Sequence, residues 1–349
     1  MDEQTVRELL RVVEDPDLGE DIVSLGLVND IVVEDGNVRV SLALGTPYAP
    51  NESAIADTVR ERLADEGIEA SLSARYERPD AAAEQPLAGV KNIIAVSSGK
   101  GGVGKSTVSV NLAAALAARG ARVGLFDADV YGPDVPRMIG STDQPQVTAD
   151  EELIPPTKHG IKLMSMAFLS GEDDPVIWRG PMVHKVLTQL WDDVAWGDLD
   201  YMVIDLPPGT GDTQLTMLQT IPVTGAVVVT TPQQVAIDDA RRGLEMFGRH
   251  DTVVLGIVEN MRGFRCPDCG SEHDIFGAGG GEELAGDTDL PFLGGIPLDP
   301  DIRTGGDEGA PIALDAESPT GTAFRELGGA VANQLGIVNR RALAERRAE

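Results

Sequence analysis

Residues 99–107 read Gly-Lys-Gly-Gly-Val-Gly-Lys-Ser-Thr, which meets the spacing G-x-x-x-x-G-K-[ST] at Gly99, Gly104, Lys105 and Ser106. The chemistry of that spacing is phosphate binding. Gly99, Gly101, Gly102 and Gly104 let backbone N–H groups turn inward around phosphate oxygens without Cβ clashes, and Val103 sits within the same turn. Lys105 is placed to reach the β- and γ-phosphates, the Ser106 hydroxyl to ligate Mg²⁺, and the following helix, from Thr107, to present its positive dipole end. An apolar strand at 92–97 precedes the loop and a helical pattern at 107–119 follows it, the context such a loop requires. Acids sit at the ends of two further apolar runs: Asp127 and Asp129 in GLFDADVYGPD, and Asp205 in YMVIDLPPGTGD. Asp134 and Asp212 stand nearby as secondary candidates. Alone, each Asp also suits a helix cap or a turn. Beside a phosphate loop, Asp129 and Asp205 are the expected Mg²⁺-side acids, holding its waters more than caging the ion.

The other chemical motif is Cys266-Pro-Asp-Cys269-Gly, followed by Ser-Glu-His273-Asp. A C-x-x-C spacing puts two thiolates on one side of a tight turn, and three readings compete. It is half of a zinc ribbon, but a structural zinc site wants four ligands and the chain has no second cysteine pair; His273 would make a third ligand. It is a redox dithiol, although it does not open a thioredoxin-like helix. Or, if the class of phosphate loop implies a two-fold dimer, two chains supply the four thiolates of an iron–sulfur cluster. Two cysteines that merely pack are disfavoured by the surface-like Pro/Gly setting. His159, His184 and His250 are isolated and suit surface or capping positions.

Elements must position these groups. From 92 onward, continuous apolar strands (NIIAVSS, ARVGLFDAD, IKLMSMAF, YMVIDLP, GAVVVTTP, TVVLGIVEN, DLPFLGGIP) alternate with helical segments. That pattern predicts a parallel sheet covered on both faces. Residues 1–78 read instead as a small α+β domain that folds by itself. Its opening helix carries Val6, Leu9, Leu10 and Val13 on one face and stops at Pro16. Two strand runs follow, joined at Asp35-Gly36, then a helix near 52–66 and a strand near 70–76. A Pro/Ala/Gly stretch predicts a linker at 79–91, the main domain at 92–336, and a terminal helix or frayed tail at 337–349.

The chain has 349 residues, 42% hydrophobic and 24% charged, with 28 Lys+Arg against 57 Asp+Glu and a net charge of −29. Such a surface repels nucleic-acid phosphates and anionic lipid, so neither is an expected partner, and it suits a protein kept hydrated at high salt, as in a halophile's cytosol. The acidic start, MDEQTVRELLRVVEDPD, has neither the basic nor the apolar region of a signal peptide, and no apolar run approaches a membrane span; a cytoplasmic protein is expected. Two closely spaced cysteines exclude a disulfide-stapled fold.

Lys100, one of only six lysines, marks the loop further. GKGGVGKST resembles the deviant Walker A loop of the P-loop class that includes nitrogenase iron protein and the septum-site ATPases. The resemblance implies a nucleotide-dependent dimer in which Lys100 crosses to the partner's nucleotide. It also implies that Asp127 and Asp129 occupy the switch position that polarises the attacking water, that Asp205 is the Walker B acid, and that Asn260, ending TVVLGIVEN, hydrogen-bonds adenine. Residues 92 to about 336 are similar to the Mrp-type iron–sulfur cluster carrier ATPases through GKGGVGKST, DADVYGP, WRGPM (178–182), VIDLPPGTGD, TTPQQVAIDDARRG and ENM followed by CPDCG. Residues 1–78 resemble the small domain often fused to them, in EDPDLGEDIVSLGLV and GTPYAPNE. That domain commonly carries a cysteine in a T-P-x-C-P turn where this chain has Ala49, which leaves it a binding or adaptor role.

The fold these resemblances imply is α/β: a P-loop NTPase with a mostly parallel sheet flanked by helices, preceded by a small α+β domain. The activity they imply is ATP hydrolysis with Mg²⁺. The cargo is an iron–sulfur cluster, [4Fe–4S] by preference, held by Cys266 and Cys269 of two subunits of a homodimer and passed to apo iron–sulfur proteins, with scaffold proteins as further partners. The rival reading is a spatial-organisation ATPase for partitioning or division-site placement. That reading gives the cysteine pair no purpose, and the tail RRALAERRAE lacks the apolar face such proteins insert in a membrane.

Overall fold

The computed structural model describes residues 2–34, 37–75, 87–130, 132–149, 152–169, 186, 190–191, 193–209, 211–266 and 268–348. The chain divides into two compact units, Met1–Gln85 with Ala332–Glu349, and Pro86–Val331. The WRGPM segment, His184, the Asp35-Gly36 turn and most of the expected linker lie outside the described residues.

In the first unit, α1 (Glu3–Leu10) is capped by the Asp2 carboxylate, which accepts from the Thr5 N–H, and it buries Val6 and Leu10. Strands β1 (Val28–Glu34) and β2 (Asn37–Leu42) pair antiparallel, and α2 (Pro50–Asp65) leads to β3 (Ala70–Ala74), which pairs parallel to β2. Ile55, Val59 and Leu63 of α2 pack with Ile31, Val40 and Leu42 in one core.

The second unit is built on a nine-stranded sheet. Its parallel strands are β4 (Val90–Ser98), β5 (Val123–Asp127), β9 (Ile161–Ser165), β10 (Leu199–Asp205), β11 (Gly225–Thr230), β12 (Val254–Arg265) and β14 (Phe292–Leu298). Each corresponds to an apolar run expected to form a strand. Two short antiparallel strands, β8 (Thr157–Lys158) and β13 (Glu272–His273), extend it, and β6 (Gln146–Val147) and β7 (Leu153–Ile154) pair separately. In chain order the helices are α3 (Lys105–Ala118), α4 (Val135–Ile139), α5 (Asp212–Thr220), α6 (Gln234–Arg249), α7 (Gly280–Asp287) and α8 (Pro300–Glu308). The sheet runs β12-β11-β4-β10-β5-β9, so the chain leaves β4 for β5 on one side and later places β11 on the other. The carboxyl end of β4 is therefore the topological switch point, where open α/β sheets bind ligands. The fold is the mostly parallel, helix-flanked sheet that the strand pattern predicts.

The tail expected at 337–349 is no separate element. It is the end of α9 (Pro319–Ala348), a 30-residue helix, and from Ala332 onward it belongs to the first unit. Leu343 and Ala344 pack on that unit's core, and Arg340, 1% exposed, reaches Asp15 and Asp17 at 2.6 Å and Glu52 at 3.2 Å. A basic, polar run looks solvated in sequence because the acids that bury it lie some 300 positions away. The linker boundary also moves, since Val90 and Lys91 already belong to β4.

Candidate functional site

The loop between β4 and α3 is shaped by two close approaches. A Cβ at Gly99 would lie 2.2 Å from the Asp239 backbone of α6. One at Gly104, whose φ is +84°, would lie 2.2 Å from Asn260 Nδ2. Glycine is required at both, by space at the first and by space and handedness at the second.

The chemistry gathers around Asp205, fully buried at the end of β10. The Lys105 ammonium lies 2.7 Å from Asp205 Oδ1 and 4.0 Å from Asp129 Oδ2. It also donates to Ser106 Oγ at 3.3 Å. Ser106 Oγ donates to Asp205 Oδ2 at 2.7 Å, and Ser109 Oγ to Asp205 Oδ1 at 2.6 Å. Parallel register aligns Asp205 with Asp127 of β5, so adjacent strand ends bring the two acids together. Asp127 accepts from Ser165 Oγ at 2.8 Å and from the N–H groups of Asp129 and Val135. Burial, and then the Asp205 carboxylate, push the Asp127 carboxyl well above the ordinary range. A hydroxyl and several carboxylate oxygens around one lysine are a hard-donor set that suits Mg²⁺. Among the described residues no three His, Cys, Asp or Glu side chains cluster to hold a metal.

A cavity of about 390 Å³ opens beside the loop, lined by Gly104, Thr107, Met138, Asn260, Met261 and Pro297 among others. Asn260 is nearly buried and its Nδ2 donates to the Val103 carbonyl at 2.8 Å, so it grips the loop as well as lining the cavity. Asp134 lines the same cavity at the start of α4. Asp212 opens α5. Lys100 is half-buried, and its carbonyl accepts from Ser98 Oγ at 3.0 Å. Sequence reading missed Ser109, although its place one helical turn after Ser106 was the available signal.

The cysteines form a knuckle between β12 and β13. The Cys266 N–H donates to the Ser271 carbonyl and the Gly270 N–H to the Cys266 carbonyl, both at 2.9 Å, with Gly270 at φ +72°. Both thiols are free, Cys266 half-buried and Cys269 exposed. A hydrogen bond with Ser271 Oγ at 3.0 Å, with help from Cys266, lowers the Cys269 thiol below its ordinary range. His273 is not gathered with them into a metal-binding cluster. The knuckle offers two thiolates and an open side. His250 caps the end of α6, and His159 meets the Gly309 carbonyl at 3.1 Å.

Residues 89–332 match the family described as NUBPL iron-transfer P-loop NTPase, and residues 3–70 match the iron-sulfur cluster assembly protein family. The chain belongs to the iron-transfer P-loop NTPases. It is 44% identical over 343 residues to the iron-sulfur cluster carrier protein of Synechocystis, covering 95% of this chain and 97% of that one. Among solved structures, a nucleotide-binding protein from Archaeoglobus fulgidus in complex with ADP is similar at 39% identity and a TM-score of 0.59. That match covers 67% of this chain and 92% of that one. The cell division ATPase MinD of Pyrococcus furiosus is similar at 26% identity and a TM-score of 0.54, over 69% of this chain and 98% of that one. The Synechocystis relative, named an iron-sulfur cluster carrier, matches nearly the whole chain, which sets aside the partitioning and division-site reading. Among the described residues no helix is long and apolar enough to cross a membrane.

Proposed function

We propose that this chain is an iron–sulfur cluster carrier that binds and hydrolyses ATP with Mg²⁺. One observation carries the reading: the same strand, β12, reaches the phosphate loop through Asn260 and ends at an exposed knuckle with two of the four thiolates a cluster takes. On this reading Gly99 to Thr107 cradle the phosphates, Lys105 neutralises the transferring phosphoryl group, and Ser106, Asp205 and Asp129 serve Mg²⁺ directly or through its waters. Asn260 meets the base edge in the neighbouring cavity. Water attacks the γ-phosphorus as the bond to the β–γ bridging oxygen breaks, leaving ADP and phosphate. Lys100 acts across a two-fold dimer, whose second chain completes the Cys₄ set with its own Cys266 and Cys269. Apo iron–sulfur proteins are the recipients. A cytoplasmic setting keeps the thiols reduced.

Anaerobic reconstitution with iron and sulfide tests this. The expected product is a dimer with about half a cluster per chain, the ratio for a Cys₄ site split between two chains. Cys266→Ser or Cys269→Ser is expected to lose the cluster and keep nucleotide binding. A stable cluster on a monomer, or tight stoichiometric Zn²⁺ with no iron uptake, overturns the proposal.

A further inference from the structure

Three consecutive residues near the end of β12 face three different tasks. Asn260 holds the phosphate loop through the Val103 carbonyl. Glu259, fully buried, accepts from the backbone N–H groups of Gly279 at 2.8 Å and Gly281 at 2.5 Å, where α7 begins. Cys266 and Gly279 are thus both held on β12. Cys266 follows the strand's last residue, and Gly279 is tied back to the strand by Glu259. Arg262 reinforces the tie, reaching Glu259 at 3.6 Å and Glu282 of α7 at 2.9 Å while lying over the Phe292 ring.

Between the two attachments the strand is irregular. Its pairing with β14 breaks between Asn260 and Phe264, and Met261 and Gly263 take φ of +59° and +66°. Glycine at 263 accepts that conformation freely, but methionine at 261 is strained in it. Met261 lines the cavity beside the loop, and its Cε lies 3.9 Å from where a Gly104 Cβ would stand. The strained residue is therefore the one that stands beside the phosphate loop.

We propose that Glu259, Asn260 and Met261 are a relay that couples nucleotide binding at the phosphate loop to the geometry of the cysteine loop, with Met261 as the contact beside Gly104 of the phosphate loop and Glu259 as the anchor of the cysteine loop. The inference rests on the ATP reading of the site. Its physical basis is short-range: any shift of the loop at Val103–Gly104 is passed to Asn260 and Met261, whose neighbour holds the far end of the cysteine-bearing segment. Glu259 and Met261 act as positioning residues, and neither touches the cluster.

The test is the alkylation rate of the cysteines by iodoacetamide in the full, metal-free chain at fixed pH, with and without saturating Mg²⁺ and a non-hydrolysable ATP analogue. Nucleotide binding is titrated separately with a fluorescent analogue. In the wild type the analogue is expected to change the rate about fivefold or more, the low end of ordinary coupling between sites. Glu259→Gln and Met261→Gly are each expected to bring that ratio near one while still binding nucleotide. Met261→Leu, which keeps the bulk, is expected to retain it. Met261→Gly relieves the backbone strain, so it decides the matter if Glu259→Gln fails to fold. A wild type that binds the analogue with an unchanged rate overturns the relay, as does a ratio that survives both variants. A wild type that does not bind the analogue at all overturns the ATP reading and the relay with it, and the titration separates that result from the others.

Discussion

Arg340→Ala is the substitution whose cost is set most directly by geometry. The guanidinium is 1% exposed and meets three acids, Asp15, Asp17 and Glu52, at 2.6, 2.6 and 3.2 Å. Asp15 is fully buried and Glu52 is 4% exposed, so neither can be rehydrated without opening the unit. Truncating one partner of a buried ion pair leaves uncompensated charge and costs about 3–5 kcal/mol. In a unit of about 100 residues each kcal/mol moves the midpoint by roughly 4 °C or more, so a fall of about 12–20 °C is expected. Glu52 adds a pH signature. Burial raises its carboxyl above the ordinary value, against the pull of its Thr46 hydrogen bonds and of Arg340. A raised value in the folded state means stability that is complete below the unfolded-state value and lost as pH rises through the folded one. Without Arg340 the Glu52 carboxyl rises further, so the deficit of the variant should grow from acidic toward neutral pH. Hydrogen exchange resolved by peptide, with thermal melts at two pH values, reads this out: residues 50–65 and 332–348 should lose protection together. A midpoint within about 2 °C of wild type, with protection unchanged, refutes the idea that this ion cluster binds the two chain ends into one unit.

Lys105→Ala is expected to abolish ATP hydrolysis, because no other ammonium meets Asp205 among the described residues; equal turnover in the two proteins sinks the assignment. Lys100→Ala is expected to lower turnover through the partner chain, which activity in a mixture of Lys100→Ala and Lys105→Ala chains tests. A chain cut to start at 86 and still ending at 349 is expected to fray or aggregate through the exposed Leu343 face, whereas one ending at 331 stays monodisperse in size-exclusion chromatography. Asp200→Asn should flatten the acid limb of the second unit's stability curve. Burial alone would raise the Asp200 carboxyl, but Arg122 and Lys91 outweigh it and bring it from 3.8 to about 2. Its contribution is thus whole above the unfolded-state value and lost as pH falls from there through the folded one.

The legible parts of this fold are those whose cause is local. Each long strand of the second unit is a continuous apolar run because helices cover both of its faces, so hydrophobicity alone marks it. The phosphate loop is a contiguous motif readable from its spacing, although Gly99 and Gly104 are held to glycine by Asp239 and Asn260, far along the chain. The partnerships that finish the site are not local. Asn260 meets Val103 across 157 positions, and Arg340 meets Asp17 across 323. An arginine in RRALAERRAE carries no sign of which acids await it. Short β13 escaped for another reason: two exposed residues have no apolar pattern to betray a strand, and their pairing follows from the knuckle.

Charge decides how the phosphate site must work. Asp127 and Asp205 end adjacent strands there, and the Lys105 ammonium reaches Asp205 at 2.7 Å and Asp129 at 4.0 Å. Burial and the neighbouring Asp205 carboxylate push the Asp127 carboxyl well above its ordinary range, the direction that crowding of negative charge produces. On the proposed ATP reading the nucleotide brings about four more, beyond what the Lys105 ammonium and the loop amides balance, so a divalent ion is expected to be needed for binding as well as for catalysis. Two consequences follow. Nucleotide affinity should collapse when EDTA removes Mg²⁺, and Asp205→Asn, which leaves Lys105 less restrained, should recover part of the metal-free affinity while losing hydrolysis. A fluorescent-nucleotide titration with and without EDTA measures both. Affinity that ignores EDTA in the wild type would mean that the carboxylates face away from the phosphates, and would remove Asp129 and Asp205 from the metal side of the site.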